Sequence, residues 1–129
     1  MARDMVKVPS GSKLGLGFSR AVRVGDMVFV SGCAPIAPDG GVASPGDVKA
    51  QTMRCLEIIE GALVQAGADI KDVVRTRVFL TDMSRWKEAG EAHGEVFKDI
   101  EPATSFLGTS ALINSGWLVE VEADAVVTR

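Results

Sequence analysis

Short segments in which valine and other apolar residues recur indicate β-strands, and the first two of them form a hairpin pattern. Ala21–Val24 and Met27–Val30 are separated only by the dipeptide Gly25-Asp26. A Gly-Asp pair between two such segments is typical of a two-residue β-hairpin turn. The sequence therefore predicts a tight antiparallel pair of strands in the first quarter of the chain.

A stretch with the 3.6-residue spacing of an amphipathic helix follows this hairpin. We expect Ser44 to cap it, Pro45 to take its first position and Asp47 to complete a capping box. Gly67 lies where a glycine cap would end the helix. The residues predicted for its buried stripe are Val48, Thr52, Cys55, Ile59 and Leu63.

A second helix is expected after a cap provided by Asp82 or Ser84. Its spacing predicts one apolar face. The members of that face are Trp86, Ala89, His93, Val96 and Phe97. The sequence leaves two roles open for His93, a buried packing residue or a catalytic base.

Three more segments predict strands, at Val73–Leu80, Ala103–Gly108 and Leu118–Val127, and a short strand near Val42 is left open. Strict alternation would put four residues of the first segment on one face, namely Val74, Thr76, Val78 and Leu80. The order β-β-(β)-α-β-α-β-β indicates an α+β sandwich, with one mainly antiparallel sheet and both helices on one face. The other face must then meet water or a partner.

The last predicted strand carries three acids, Glu120, Glu122 and Asp124, which alternate with small apolar residues. All three should therefore lie on the face away from the helices. Two interpretations are open. The acids pair across the strands with Arg75 and Arg77, or one of them belongs to a functional site.

Length and charge limit the classes of function. The chain of 129 residues is expected to form one domain, residues 1–129. Fourteen Lys and Arg against seventeen Asp and Glu give a net charge of −3, which argues against a nucleic-acid partner. The apolar runs are too short to cross a membrane, and the first residues contain no apolar signal core, so we expect a cytoplasmic protein without a membrane partner. Two Cys and one His cannot supply a zinc site, so no metal is expected.

Three segments, Phe18–Gly32, Asp72–Met83 and Leu118–Ala123, resemble in order and spacing the Rid family of reactive intermediate deaminases, also called the YjgF family. The resemblance implies a chorismate-mutase-like α+β fold. It also implies a homotrimer with a small-molecule cleft at each subunit interface. Members with known activity hydrolyse enamines and imines to a ketone or ketoacid and ammonia, and no cofactor is expected.

The resemblance also implies site residues. The family binds its ligand with the backbone of a Ser-Gly segment, here Ser31-Gly32, and with a Glu on the last strand, here Glu120. Cys33 follows that segment and is expected to line the cleft as a small apolar residue rather than to act as a nucleophile. An aromatic residue near the start corresponds to Phe18.

Three family positions are changed in this chain. The family's carboxylate-binding Arg is replaced by Thr104, the nearby Cys by Phe106, and an Asn of the second helix by Gly90. Arg clamps a carboxylate with two charge-assisted hydrogen bonds, and a Thr hydroxyl cannot replace that charge. We therefore expect a less charged and more apolar ligand. Arg77 is left open as a substitute clamp, against the simpler alternative that it pairs with an acid.

For an enzyme of this kind, Glu120 would orient and deprotonate the attacking water. The favoured function is a hydrolytic deaminase of a small imine or enamine without the usual carboxylate. The alternative is a trimer that binds a small molecule for sensing or sequestration without catalysis. A ribonuclease or translation inhibitor is less favoured, because of the charge and the lack of an aromatic patch for stacking bases.

Overall fold

The computed structural model describes residues 2–8 and 15–128. Within these residues the chain forms a six-stranded sheet and two α-helices. The strands are β1 (Arg3–Val6), β2 (Ala21–Val24), β3 (Met27–Cys33), β4 (Val73–Leu80), β5 (Ala103–Gly108) and β6 (Val119–Val126). The helices are α1 (Val48–Gln65) and α2 (Trp86–Phe97), and two 3₁₀ turns, Ile70–Asp72 and Met83–Arg85, precede β4 and α2.

The strands lie in the order β1-β2-β3-β6-β4-β5. Every neighbouring pair is antiparallel except β4 and β5, which are parallel. Parallel strands need a crossover, and α2 provides it between β4 and β5. The predicted α+β class and mainly antiparallel sheet are confirmed.

The core lies between one face of the sheet and the two helices. Strand β6 alternates strictly, with Val119, Val121, Ala123 and Ala125 buried and its acids half-buried. Helix α1 buries the predicted stripe, and Cys55 is a fully buried free thiol within it. We call the sheet face away from the helices the open face. No helix in residues 2–8 and 15–128 is long and apolar enough to cross a membrane.

Three strand predictions need correction. Strand β1 was not predicted, because its four residues, Arg3–Val6, lack an apolar alternation and are ordered only by pairing with β2. The strand left open near Val42 is only an isolated bridge to Ile36. In β4 a register shift between Val73 and Arg75 buries Val73 and exposes Val74, so strict alternation fails at the start of that strand.

The predicted capping box of α1 is also wrong. The residue that caps the helix is Asp47, whose side chain accepts a hydrogen bond from the Ala50 N–H at 2.9 Å. Ser44 instead begins a turn, in which its carbonyl oxygen accepts the Asp47 N–H at 3.0 Å and Gly46 has φ +80°. A Pro-Gly pair at the centre of a turn satisfies that geometry, so Pro45 belongs to the turn and not to the helix.

The other helix ends follow the sequence more closely. Gly67 has φ +79° and follows Ala66, the residue that caps the end of α1, as a glycine cap requires. Asp82, rather than Ser84, supplies the second cap, since its side chain accepts the Ser84 N–H. It caps the 3₁₀ turn Met83–Arg85, which leads directly into α2. In α2, Trp86 is largely exposed at the end of the predicted apolar face.

We expect Asp47→Ala to lower the free energy of unfolding by about 1 kcal/mol, because the helix loses its capping acceptor. Ser44→Ala is the matched control and should change it by less than about 0.5 kcal/mol, since the Ser44 hydroxyl makes no capping bond. Urea unfolding of both variants measures the difference. Equal losses would show that Ser44 shares the capping role.

Candidate functional site

The Glu120 carboxylate lies directly against the backbone of β3. A Cβ atom built on Gly32 would be 2.7 Å from Glu120 Oε1, so any other residue there would displace the carboxylate. The pairing of β3 with β6 shifts its register between Val30 and Cys33, which loosens the strand where Glu120 approaches. Gly32 therefore permits a close approach that a side chain would prevent.

Arg20 holds this part of β3 in place. Its Nη1 donates to the Gly32 carbonyl oxygen at 2.8 Å, to Ser31 Oγ at 3.1 Å and to Cys33 Sγ at 3.5 Å. The Ser31 hydroxyl donates in turn to the Arg20 carbonyl oxygen at 3.1 Å. We call Arg20, Ser31, Gly32, Cys33 and Glu120 the Glu120 cluster.

Sequence reasoning did not identify Arg20, although the hairpin contains the information. The two-residue turn fixes the pairing of Ala21 with Val30. Continuing that pairing by one residue places Arg20 opposite Ser31, and the Ser31 N–H indeed donates to the Arg20 carbonyl oxygen at 2.9 Å. The register of a predicted hairpin can thus identify a residue that no motif marks.

Burial raises the pKa of Glu120 above its ordinary value of 4.5. The positive charge of Arg20 opposes that shift, and the negative charge of Glu122 adds to it. A carboxylate with a raised pKa is a stronger base and is better suited to accept a proton near neutral pH. The Glu120 cluster therefore contains a half-buried carboxylate with the properties of a general base.

Cys33 does not have the properties of a nucleophile. Its side chain is fully buried on the helix side of the sheet, and burial raises the pKa of the thiol to about 11. The thiol is therefore protonated at neutral pH, and only the Cys33 backbone is available to a ligand on the open face.

Phe18 lies beside the Glu120 cluster rather than within it. It lines an open cavity of about 400 Å³ together with Met5, Phe29 and Ser31. Ser31 is common to that cavity and to the cluster. Five of the predicted site residues, Phe18, Ser31, Gly32, Cys33 and Glu120, are thus close together in one chain.

Thr104 and Phe106 form a second group on β5, next to α2. Thr104 Oγ1 donates to the Pro102 carbonyl oxygen at 3.1 Å and lies 2.7 Å from Thr76 Oγ1, which is 2.8 Å from His93 Nε2. Thr104 Oγ1 also lies 3.4 Å from His93 Nε2, so Thr76, His93 and Thr104 form one hydrogen-bonded group.

An open groove of about 570 Å³ runs between α2 and β5. The rings of Trp86 and Phe106 meet edge to face with their centroids 6.1 Å apart. Gly90 lies over Phe106, and a Cβ atom at Gly90 would be 4.0 Å from Phe106 Cζ. We call it the α2–β5 groove, and its lining residues are Trp86, Lys87, Gly90, Glu91, His93, Gly94 and Phe106.

A single chain does not bring the two groups together. Glu120 projects from β6 on the open face, whereas Thr104 and Phe106 face the helices on β5. Strand β4 also lies between β6 and β5. The seven predicted site residues can therefore share one ligand only if a second copy of the chain supplies one of the groups.

The two interpretations of the acids on β6 apply to different residues. Arg77 Nη1 lies 3.2 Å from Glu122 Oε1 and 3.6 Å from Asp124 Oδ2, and Arg75 Nε lies 4.0 Å from the same Asp124 oxygen. Cross-strand pairing is thus confirmed for Glu122 and Asp124. Glu120 forms no such pair among the described residues, and Arg77 is occupied by its acids.

His93 is nearly buried, and the centroid of its ring lies 4.5 Å from that of the Phe97 ring. This contact supports the packing role. Burial lowers the pKa of His93 below its ordinary value of 6.5. As the pH falls through that value, the unfolded chain binds a proton that the folded chain does not, so stability is lost.

We therefore expect the free energy of unfolding to fall as the pH is lowered below 6.5, the ordinary pKa of His, and to fall less in His93→Gln. Denaturant unfolding at several pH values measures both slopes, and His93 is the one histidine of the chain. Identical slopes would contradict a depressed pKa at His93.

Within residues 2–8 and 15–128, no three His, Cys, Asp or Glu side chains are grouped so that they could hold a metal ion.

Comparison with known proteins identifies the family of this chain. The sequence profile of the family described as Endoribonuclease L-PSP matches residues 13–127. A RutC family protein of Pyrococcus abyssi is 35% identical over 125 residues, which are 97% of this chain and 98% of that protein.

Two solved structures show that the fold is similar as well. Rv2704 of Mycobacterium tuberculosis, described as a member of the YjgF/YER057c/UK114 family, has a TM-score of 0.86 and 48% identity over 98% of this chain and 100% of that one. Escherichia coli TdcF, solved with bound serine, has a TM-score of 0.78 and 30% identity over 86% and 88% of the two chains. The chain therefore belongs to the endoribonuclease L-PSP family, which is the YjgF or Rid family that its sequence resembles.

Proposed function

We propose that this protein hydrolyses a small neutral imine or enamine to a carbonyl compound and ammonia. The observation that carries the proposal is the state of the Glu120 carboxylate. It is half-buried against Gly32, it lies outside the cross-strand ion pairs, and its pKa is raised. Family membership supports a deaminase-like or small-molecule-binding role. The serine bound to the relative TdcF is further support for a small ligand in this fold.

Glu120 acts twice in the proposed reaction. A protonated imine is already electrophilic, so water attacks its carbon while the Glu120 carboxylate accepts the water proton. The C–O bond forms and the electrons of the C=N bond move to nitrogen. The protonated Glu120 then returns its proton to that nitrogen, and the C–N bond breaks as the hydroxyl oxygen forms the C=O bond. The hydroxyl proton leaves on ammonia, so the products are the carbonyl compound and ammonium.

Arg20 is a positioning residue in this scheme. Its three contacts hold Ser31, Gly32 and Cys33, so that the backbone of this segment keeps a fixed place beside Glu120. A fixed backbone can orient the polar end of a substrate without reorganisation. The positive charge of Arg20 also keeps the pKa of Glu120 from rising further.

The α2–β5 groove supports a neutral substrate. Its walls are mainly aromatic rings and glycines, and its two charged residues, Lys87 and Glu91, are opposite in sign. The position of the family's carboxylate-binding Arg is Thr104. The Thr104 hydroxyl already has partners within the chain, the Pro102 carbonyl oxygen and the Thr76 hydroxyl, and it carries no positive charge. A carboxylate would find no counter-charge at Thr104 and would be desolvated at a cost of several kcal/mol.

The proposed cleft forms between copies, in the homotrimer usual for the family. Four large apolar side chains remain exposed on the open face, namely Met5, Met27, Phe29 and Leu107. Covering them with a neighbouring subunit removes apolar surface from water. The same contact is proposed to join the Glu120 cluster of one copy to the α2–β5 groove of the next.

We expect sedimentation equilibrium to give the mass of three chains, and Phe29→Glu to give smaller species, because a charge would be buried in the interface. Val64→Glu is the matched control, because Val64 is an exposed apolar residue on α1 rather than on the open face. It should leave the mass unchanged. A wild-type monomer would remove the proposed cleft.

The test of the proposed activity is ammonia release from a panel of imines. Release above the buffer rate supports the hydrolase. Saturable binding of the same compounds without release would instead support the sensing or sequestering trimer. A salt-dependent shift of RNA would favour the ribonuclease alternative, against the net charge of −3.

A further inference from the structure

A separate cavity of about 400 Å³ lies beside α1, away from the α2–β5 groove. Its volume is within the range of small-molecule sites. Its lining contains two arginines, one acid and five apolar side chains, which are Arg20, Arg54, Asp39, Val8, Ile36, Ala37, Pro38 and Ile58. It shares only Arg20 with the Glu120 cluster.

The two guanidinium groups are not neutralised by ion pairs. Among the described residues, neither Arg20 nor Arg54 has a carboxylate within 4.0 Å, whereas Arg75, Arg77 and Arg85 each do. Arg54 donates from Nε to the Ile36 carbonyl oxygen at 2.6 Å, and its terminal nitrogens make no hydrogen bond to residues 2–8 or 15–128. Arg20 likewise uses only Nη1.

Hydrogen bonds to backbone carbonyl oxygens explain only part of the placement of Arg20 and Arg54. Arg23 also donates to backbone carbonyls, of Gly25 and Ala66, but it does not line the cavity. Two guanidiniums that line one cavity repel each other, and an anion placed between them would remove that repulsion. Asp39 balances one of the two charges, although its Oδ1 already accepts the Gly41 N–H at 2.8 Å.

We propose that this cavity binds a small organic monoanion, a carboxylate with a short hydrocarbon body. The net charge of the lining is one positive charge, which matches a monoanion rather than a phosphate dianion. The planar guanidinium of Arg54 presents paired donors that match a carboxylate. Ile36, Pro38 and Ile58 supply the apolar wall that a hydrocarbon body requires.

The first test uses wild-type protein with hexanoate and its neutral counterpart hexanamide. We expect hexanoate to shift the backbone NMR signals of Ile36, Ala37 and Gly40 in a saturable manner. Hexanamide should bind at least about tenfold more weakly, since hydrogen bonds to a charged group are the stronger ones. Equal binding of the two, or shifts confined to the α2–β5 groove, would overturn the proposal. Tighter binding of inorganic phosphate than of hexanoate would also overturn it.

The second test uses Arg54→Gln, because Arg20 also belongs to the Glu120 cluster. We expect its dissociation constant for hexanoate to rise roughly 10- to 100-fold. Arg23→Gln is the matched control and should bind hexanoate as wild type does. Unchanged binding in Arg54→Gln would contradict the proposal, and the wild-type comparison decides the matter if that variant does not fold. Neither result depends on whether Glu120 hydrolyses imines.

Discussion

Replacing Glu120 by Gln is expected to lower the rate of ammonia release by roughly 10²- to 10⁴-fold, the usual range for loss of a general base. Gln keeps the shape of the side chain against Gly32 and one acceptor oxygen, but it cannot take the water proton. The measurement is ammonia release under saturating imine. Circular dichroism and sedimentation should show an unchanged fold and assembly.

Glu122→Gln provides the matched control for this result. Glu122 lies two residues along the same face of β6 and pairs with Arg77 at 3.2 Å. Its removal breaks a half-exposed ion pair, which contributes about 1 kcal/mol or less to stability, and should change the rate by no more than a few-fold. Similar losses in both variants, or full activity in Glu120→Gln, would contradict the assigned role of Glu120.

The double substitution Thr104→Arg with Phe106→Cys is expected to raise turnover of 2-iminopropionate by roughly 10- to 100-fold, the gain that charge-assisted hydrogen bonds supply. Wild-type protein should hydrolyse this imino acid poorly, because Thr104 carries no charge to meet its carboxylate. The assay is release of ammonia or ketoacid from the imine generated in situ by an amino-acid oxidase.

Each single substitution is the control for the pair. Thr104→Arg alone removes the partner of Thr76 at 2.7 Å and leaves the Phe106 ring in the space that the new side chain needs. Phe106→Cys alone opens space without adding charge. We expect both to gain less than the double variant. Robust turnover of 2-iminopropionate by wild type would mean that another cation binds the carboxylate.

Most of the fold could be predicted from local patterns. The turn at Gly25-Asp26, the strand Ala21–Val24 and the strand Ala103–Gly108 have the predicted bounds, although β3 continues three residues beyond the predicted Val30. Strand β6 shows the predicted alternation of buried valines and acids. These elements are determined by turn chemistry and periodicity, which are properties of neighbouring residues.

The features that the sequence did not predict depend on competition between two local structures or on contacts with residues distant in sequence. Strand β1 exists because β2 offers it an edge, and its own residues carry no strand pattern. The turn at Pro45-Gly46 competed with the helix for the same residues and moved the cap to Asp47. The bulge at the start of β4 shifts one residue between faces, which alternation alone does not reveal.

In the candidate site, too, the features set by neighbouring residues could be predicted and those set by distant residues could not. That Glu120 lies on the open face could be derived from alternation, and its closeness to Gly32 was implied by the resemblance. The distance between Glu120 and Thr104 could not be predicted, because it depends on the strand order β3-β6-β4-β5. The hydrogen-bond chain from His93 through Thr76 also joins residues that are far apart in sequence.

The most direct test of the central claim is a comparison of kcat/KM for two imines that differ only in charge, 2-iminopropionate and its neutral amide. The measurement is ammonia release by wild-type protein, with a buffer blank and Glu120→Gln as controls. The proposed function predicts release from the amide above the blank, dependent on Glu120, and much less from the acid. Equal or faster turnover of the acid, or no release from either imine, would contradict it.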